Sequence, residues 1–133
     1  MSELIQSFEQ NYHLGVAEMD ETHRQFVAQV NQLDAAPDAT FSELFAELLK
    51  HTEAHFAAEN ELMKTSGFPP IHIHMGEHQR VLEAFKHFAA QVAAGDLSVG
   101  RAFIHEQIPR WFELHSRTMD SALAAHLKRV GQS

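Results

Sequence analysis

Residues able to bind metal recur at helical spacing along faces that are otherwise apolar. His55 is followed four residues later by Glu59, His74 four residues later by His78, and His115 five residues later by Asp120. A further histidine, His23, follows Met19-Asp20-Glu21-Thr22. Residues four apart on an α-helix differ by only about 40° around its axis, so each such pair shares one face. An imidazole or carboxylate buried without a partner costs roughly 2–7 kcal/mol. One histidine satisfied locally in a core is ordinary. Four stretches that each place such groups on an apolar face call for helices that converge, and for a ligand that satisfies all the groups together.

The apolar pattern supplies those helices. Phe26, Val27, Val30 and Leu33 form the stripe of a first long helix, with Asp20 expected as its N-cap and a break at Asp34-Ala35-Ala36-Pro37-Asp38. A second helix is expected near Thr40, with Glu43 completing a capping box. Its stripe is Phe41, Leu44, Phe45, Leu48, Thr52, His55, Glu59 and Leu62, and Gly67-Phe68-Pro69-Pro70 ends it. A third takes Pro70 near its first turn and carries His74, His78, Val81, Leu82, Phe85, Ala89 and Val92 up to Gly95. A fourth starts at Asp96 or Ser98 and carries Ile104, Ile108, Trp111, His115, Thr118, Ala122 and Leu123. Pro109 lies inside this last pattern and is expected to kink or divide the helix. Residues 1–17 read as an N-terminal arm and 18–130 as the bundle of one domain spanning 1–133. The short connections favour antiparallel neighbours. The fold expected is all-α: an up-down-up-down antiparallel four-helix bundle with an N-terminal arm.

Charge and composition remove several classes of function. There are 18 acidic and 10 basic residues, a formal charge of -8, which argues against nucleic-acid or anionic-membrane partners. No long uncharged apolar run is present, and Met1-Ser2-Glu3-Leu4-Ile5 lacks the start of an export signal, so a cytoplasmic protein is expected. Cysteine is absent, so any metal must be held by nitrogen and oxygen. The chain has 11 histidines, more than its proline, tyrosine and tryptophan together.

His23, His55, His74, His78 and His115 with Glu59 and Asp120 are too many donors for one ion. Two ions sharing both carboxylates use all of them, and five imidazoles divide three and two. With a bridging hydroxide, one ion is then six-coordinate and the other five-coordinate, leaving a place for a small molecule. Imidazole and carboxylate suit iron, and also zinc, copper or manganese. The spacing from His115 to Asp120 is the least natural element, since five residues leave about 140° on a straight α-helix. Asp120 must reach around, or the helix must be locally underwound.

The whole pattern resembles the hemerythrin family in its single-domain bacterial form. The matching text is Gly15-Val16-Ala17-Glu18-Met19-Asp20-Glu21-Thr22-His23, then His55-Phe56-Ala57-Ala58-Glu59 with Met63, then Gly67-Phe68-Pro69 with His74 and His78, then Trp111 with His115 and Asp120. The resemblance implies two non-haem iron ions with a hydroxo or oxo bridge. His74, His78 and His115 would hold the six-coordinate iron, His23 and His55 the other, and Glu59 and Asp120 would bridge. It implies reversible binding of dioxygen on the His23–His55 side, with nitric oxide or small anions as further ligands, and a monomer. The chain departs from the family at Asn60, where a second acid is usual, and at Ser116, where an apolar residue is usual. It departs also at Phe8 and Phe68, where tryptophan and tyrosine are common.

His13, His51, His72, His87, His105 and His126 are expected at the surface or behind the ligands, Glu61 and Glu77 in solvent, and Trp111, Phe56 and Phe112 in the core. The function implied is an oxygen carrier, store or delivery protein rather than an enzyme. The alternatives are a di-iron oxidase or peroxidase, a nitric-oxide-handling protein, a metal buffer and an oxygen sensor.

Overall fold

The computed structural model describes residues 4–6 and 8–131, so residues 1–3 and 7 of the expected arm, and 132–133, lie outside the described residues. The arm contains a short helix, α1 (Phe8–Asn11), and three long helices follow: α2 (Ala17–Ala35), α3 (Asp38–Ser66) and α4 (Ile71–Ala93). A fourth rod covers 97–129. It comprises α5 (Leu97–Ala102), a π-helical turn (Phe103–Gln107), α6 (Ile108–His115), a second π-helical turn (Ser116–Asp120) and α7 (Ser121–Arg129).

Contacts at the two ends set the topology. At one end, Arg101 at the start of the fourth rod bonds Asp38 at 2.7 Å and the carbonyl of Ala36, while His105 meets Asp34 at 2.8 Å. At the other end, His23 near the start of α2 meets Glu59 near the end of α3, and His74 near the start of α4 meets Asp120. Each rod therefore runs opposite to the one before it, giving the expected antiparallel bundle.

Two helix starts differ from the sequence expectation. Asp20 is not an N-cap: α2 begins at Ala17, and the Asp20 carboxylate turns back to accept the Leu14 and Gly15 amides at 2.7 and 2.9 Å. It ties down the loop ahead of the helix, a task that a buried acid in a first turn performs as well as a cap. α3 begins at Asp38 rather than near Thr40, and Thr40 bonds the Pro37 carbonyl, so there is no capping box with Glu43. α3 stops where expected. Gly67 takes a φ of 67° and the Phe68 amide bonds the Met63 carbonyl at 3.0 Å, a closure that glycine allows without strain.

The arm packs on the bundle as anticipated. The Asn31 side chain pairs with both backbone groups of Ile5, at 2.8 and 3.0 Å, and Ile5 and Tyr12 are buried. Around Pro109 the regular α-helix is interrupted, separating α5 from α6, as the sequence led one to expect. A π-helical turn just before it, closed by the Ile108 amide on the Phe103 carbonyl, absorbs the missing donor, and the rod continues helical.

The core falls into two apolar clusters. One is rich in phenylalanine, with Phe26, Phe41, Phe45, Phe56, Phe85, Phe103 and Phe112. The other gathers Val16, Met19, Met63, Phe68, Leu123, Ala124 and Leu127. Along every long rod the residues between the two clusters are the histidines and acids of the sequence pattern. Among the described residues no helix is long and apolar enough to cross a membrane.

Gly100 lets the fourth rod approach Val92 and Phe41 closely in the first cluster. A Cβ there would collide with Val92 Cγ2 and press on Phe41 Cε2 at 3.1 Å. Replacing a helical glycine by alanine ordinarily gains up to about 1 kcal/mol. Overpacking costs about 1–3 kcal/mol and should win here. Gly100→Ala is expected to lower the Tm in thermal unfolding, and a raised Tm would show that Val92 yields without strain.

Candidate metal centre

α2 delivers His23, α3 delivers His55 and Glu59, α4 delivers His74 and His78, and the fourth rod delivers His115 and Asp120. None of these side chains belongs to a residue more than 5% exposed. The seven sequence-predicted residues thus come together in one buried layer between the two apolar clusters.

Each carboxylate divides its oxygens between two sets of imidazoles. Glu59 Oε2 lies 2.9 Å from His23 Nε2 and 2.8 Å from His55 Nε2. Its other oxygen, Oε1, lies 3.3 Å from His78 Nε2 and 3.6 Å from His74 Nε2. Asp120 repeats the division. Its Oδ1 is 3.1 Å from both His74 and His115, and its Oδ2 is 3.4 Å from His23. The donors fall into a five-member group of Glu59, His74, His78, His115 and Asp120 and a second group of His23, His55 and Glu59, each within 4.8 Å mutually.

These close approaches are mostly not hydrogen bonds. Nε2 of His74, His78 and His115, Glu59 Oε1 and Asp120 Oδ1 are all buried with no hydrogen-bond partner. Native interiors rarely leave so many polar atoms unpaired in one place. Lone pairs directed at a shared space rather than at each other are what a cation requires, so the residues present fit a bound metal.

The ionisation of the cluster shows the same mutual dependence. Burial works against the charged form of His74, but the Asp120 and Glu59 carboxylates outweigh it and hold that imidazole up at about 9. Burial likewise opposes charge on His23, and Glu59 with Asp120 overcomes it. Glu59 sits well below the usual carboxylate range because His55, His23 and His74 more than offset its burial. Asp120 is also lowered: burial and the neighbouring Glu59 raise it, and His115 and His74 prevail. For His78 burial dominates and favours the neutral ring.

The second π-helical turn resolves the His115–Asp120 spacing. Its i→i+5 bonding brings residues five apart onto one face, so the rod is underwound where both ligands must point inward. The extra residue also shifts the phase beyond it. Thr118 and Ala122, expected on the buried stripe, are exposed, while Asp120, Leu123, Ala124 and Leu127 take the inner face.

Groups behind the ligands hold their rings. His78 Nδ1–H donates to Asn60 Oδ1 at 2.8 Å, which leaves Nε2 free to face the centre. Phe56 stacks on His78 with centroids 4.0 Å apart and planes within 5°, and Phe112 meets His23 edge-on at 5.7 Å. Trp111 stacks on His115 at 4.6 Å, but it is only half-buried rather than a core residue. Its indole N–H donates to Glu77 Oε1 at 3.0 Å, so Glu77 is half-buried and engaged, not in solvent. Glu61 is exposed as expected.

The remaining histidines stay out of the ligand set. His13 pairs with Asp20 at 3.2 Å and His105 with Asp34, and His51 is half-buried on α3. His126 is the exception to a surface role. It is buried and its Nε2–H donates to the Ser66 carbonyl at 2.8 Å, closing the end of α3. No sequence spacing signals the Asn60, Glu77 and His126 contacts, because each joins different helices.

Comparison with known proteins agrees with this geometry. Residues 14–128 match the family described as Hemerythrin HHE cation binding domain. A bacteriohemerythrin of Ralstonia nicotianae is 36% identical over 119 residues, covering 90% of this chain and 86% of that protein. A bacteriohemerythrin of Stenotrophomonas maltophilia is 27% identical, covering 91% and 80%, and one of Pseudomonas aeruginosa is 25% identical, covering 86% and 76%.

A protonated His74 stabilises the metal-free fold below the ordinary histidine value of 6.5, and that contribution disappears as pH rises through about 9. Thermal melts of metal-free protein should therefore show Tm falling between these pH values. A His74→Gln variant should lose that slope. An unchanged slope in the variant would show that His74 is not its source.

Proposed function

The chain belongs to the hemerythrin family, and on that premise we propose that it binds dioxygen reversibly at a non-haem di-iron centre. The observation that carries this reading is the division of carboxylate oxygens. Glu59 and Asp120 each present one oxygen toward the His74–His78–His115 side and the other toward the His23 side. Two bridging acids with three imidazoles on one side and two on the other leave the second side one protein donor short. That side is where a small ligand finds room.

When bound, a pair of irons supplies reversible one-electron chemistry at each ion, which together holds dioxygen and releases it. This chain's residues set the conditions. Asn60 orients His78, Trp111 braces His115, and Phe56 and Phe112 wall the imidazoles. The two apolar clusters exclude water, which strengthens every charge interaction between them. Beside His55 and Glu59 a recess lined by both is about 10 Å³, near the size of one water, so access there favours very small molecules.

The donor chemistry favours a carrier, store or delivery role over an oxidase. Oxygen-activating di-iron bundles are richer in carboxylates and use a Glu-x-x-His spacing. Here five imidazoles accompany two acids, giving less anionic charge to stabilise highly oxidised metal.

Loading the protein with ferrous iron without oxygen and then admitting air should produce a visible charge-transfer band that vanishes on deoxygenation. Irreversible bleaching with turnover of a reductant would instead mark an oxidase or peroxidase. Glu59→Ala and Asp120→Ala should each hold at most one iron per chain by metal analysis. Two irons retained in either variant would remove that acid from the bridge.

A further inference from the structure

We propose that the Ser116 hydroxyl donates a hydrogen bond to the small ligand held on the His23–His55 side, and so biases this chain toward small anions carrying a free hydrogen-bond acceptor. The proposal rests on the di-iron reading above and names the ligand class that the site prefers.

Ser116 is wholly buried, and its Oγ has no hydrogen-bond partner. That is unusual for a helical hydroxyl, which ordinarily satisfies itself on the carbonyl four residues back. Thr22, Thr52 and Thr118 all do so here, on Glu18, Leu48 and Leu114 at 2.9, 2.8 and 2.7 Å. Ser116 does not use the corresponding Phe112 carbonyl.

Its place in the rod gives the direction. Phe112 lies four residues before it, so the two share one face, and Asp120 closes the π-helical turn that Ser116 opens. Both flanking residues touch His23: the Phe112 ring meets it edge-on at 5.7 Å, and Asp120 Oδ2 lies 3.4 Å from Nε2. Ser116 therefore sits between them, opposite α2, on the side with fewer imidazoles. The other buried unpartnered atoms are those of the metal-binding residues themselves, or Gln29 and His51 outside the layer. A hydroxyl left free beside the donor-poor side is a donor without an acceptor. An anion seated there supplies one. A neutral, weakly accepting gas such as nitric oxide gains little from it.

The test uses the full-length di-iron protein and azide as probe. In the ferric form, Ser116→Ala should bind azide about tenfold more weakly in a spectroscopic titration, the scale of one hydrogen bond to a charged group. The infrared stretch of bound azide should shift in D2O for the unaltered protein and not for Ser116→Ala. Nitric-oxide affinity of the ferrous form should be the same in both. The metal-free variant should melt no lower than the unaltered protein, because it loses only an unsatisfied hydroxyl. Equal azide affinity, or a lowered metal-free Tm with no effect specific to azide, would overturn the proposal and assign Ser116 a packing role. Failure of the unaltered ferric protein to bind azide at all would overturn the di-iron reading itself.

Discussion

Seven ionisable side chains share one buried layer, and the rest of the structure answers to the cost of that burial. Glu59 and Asp120 are both buried close to one another, and each raises the energy of the other. Five imidazoles around them offset the repulsion. Removing any one helix would leave charges in an apolar medium without partners, which is why a set of this kind requires all four rods to be present at once. The polar layer also explains why the core is two clusters and not one. Most of the buried phenylalanines pack on one side of it, and Phe68 packs with aliphatic and methionine side chains on the other.

The fourth rod shows how far a helix deforms to meet that constraint. A straight α-helix would turn Asp120 away from His115. One additional residue accommodated in a π-helical turn brings both to the centre and resets the buried stripe beyond it. The same rod contains a second π-helical turn ahead of Pro109. Single-turn departures of this kind are rare in helices and concentrate at functional sites, where the geometry gained outweighs poorer hydrogen bonding.

Asymmetry in the donor set connects this geometry to function. Glu59 belongs to both donor groups and Asp120 to the larger one, and the imidazoles divide three and two. On the proposed reading the guest is accepted on the His23 side, where Phe112 and Asp120 of the fourth rod meet His23. The groups that hold the ligand rings come from other helices: Asn60 for His78 and Glu77, through Trp111, for His115. They fix the rings around the centre.

Local spacing in the sequence determined which side chains meet and on how many helices they ride. The i,i+4 pairs His55–Glu59 and His74–His78 lie on one face of any α-helix, and the apolar stripes through Phe45, Leu48, Val81 and Phe85 fix which face is inner. Donor arithmetic also pointed to an unequal division of the imidazoles, three and two. Tertiary structure decided what spacing leaves open. Asp20 turned back to hold a loop because Leu14 and Gly15 lie within its reach, not because of its place in a capping pattern. The π-helical turn follows from the demand that Asp120 face His74 and His23 across the bundle. Thr118 and Ala122 left the core for the same reason. Asn60, Glu77 and His126 found partners far away in sequence. Periodicity encodes the phase of a single helix; which groups become neighbours across helices depends on how all the rods pack against a shared cost of buried charge.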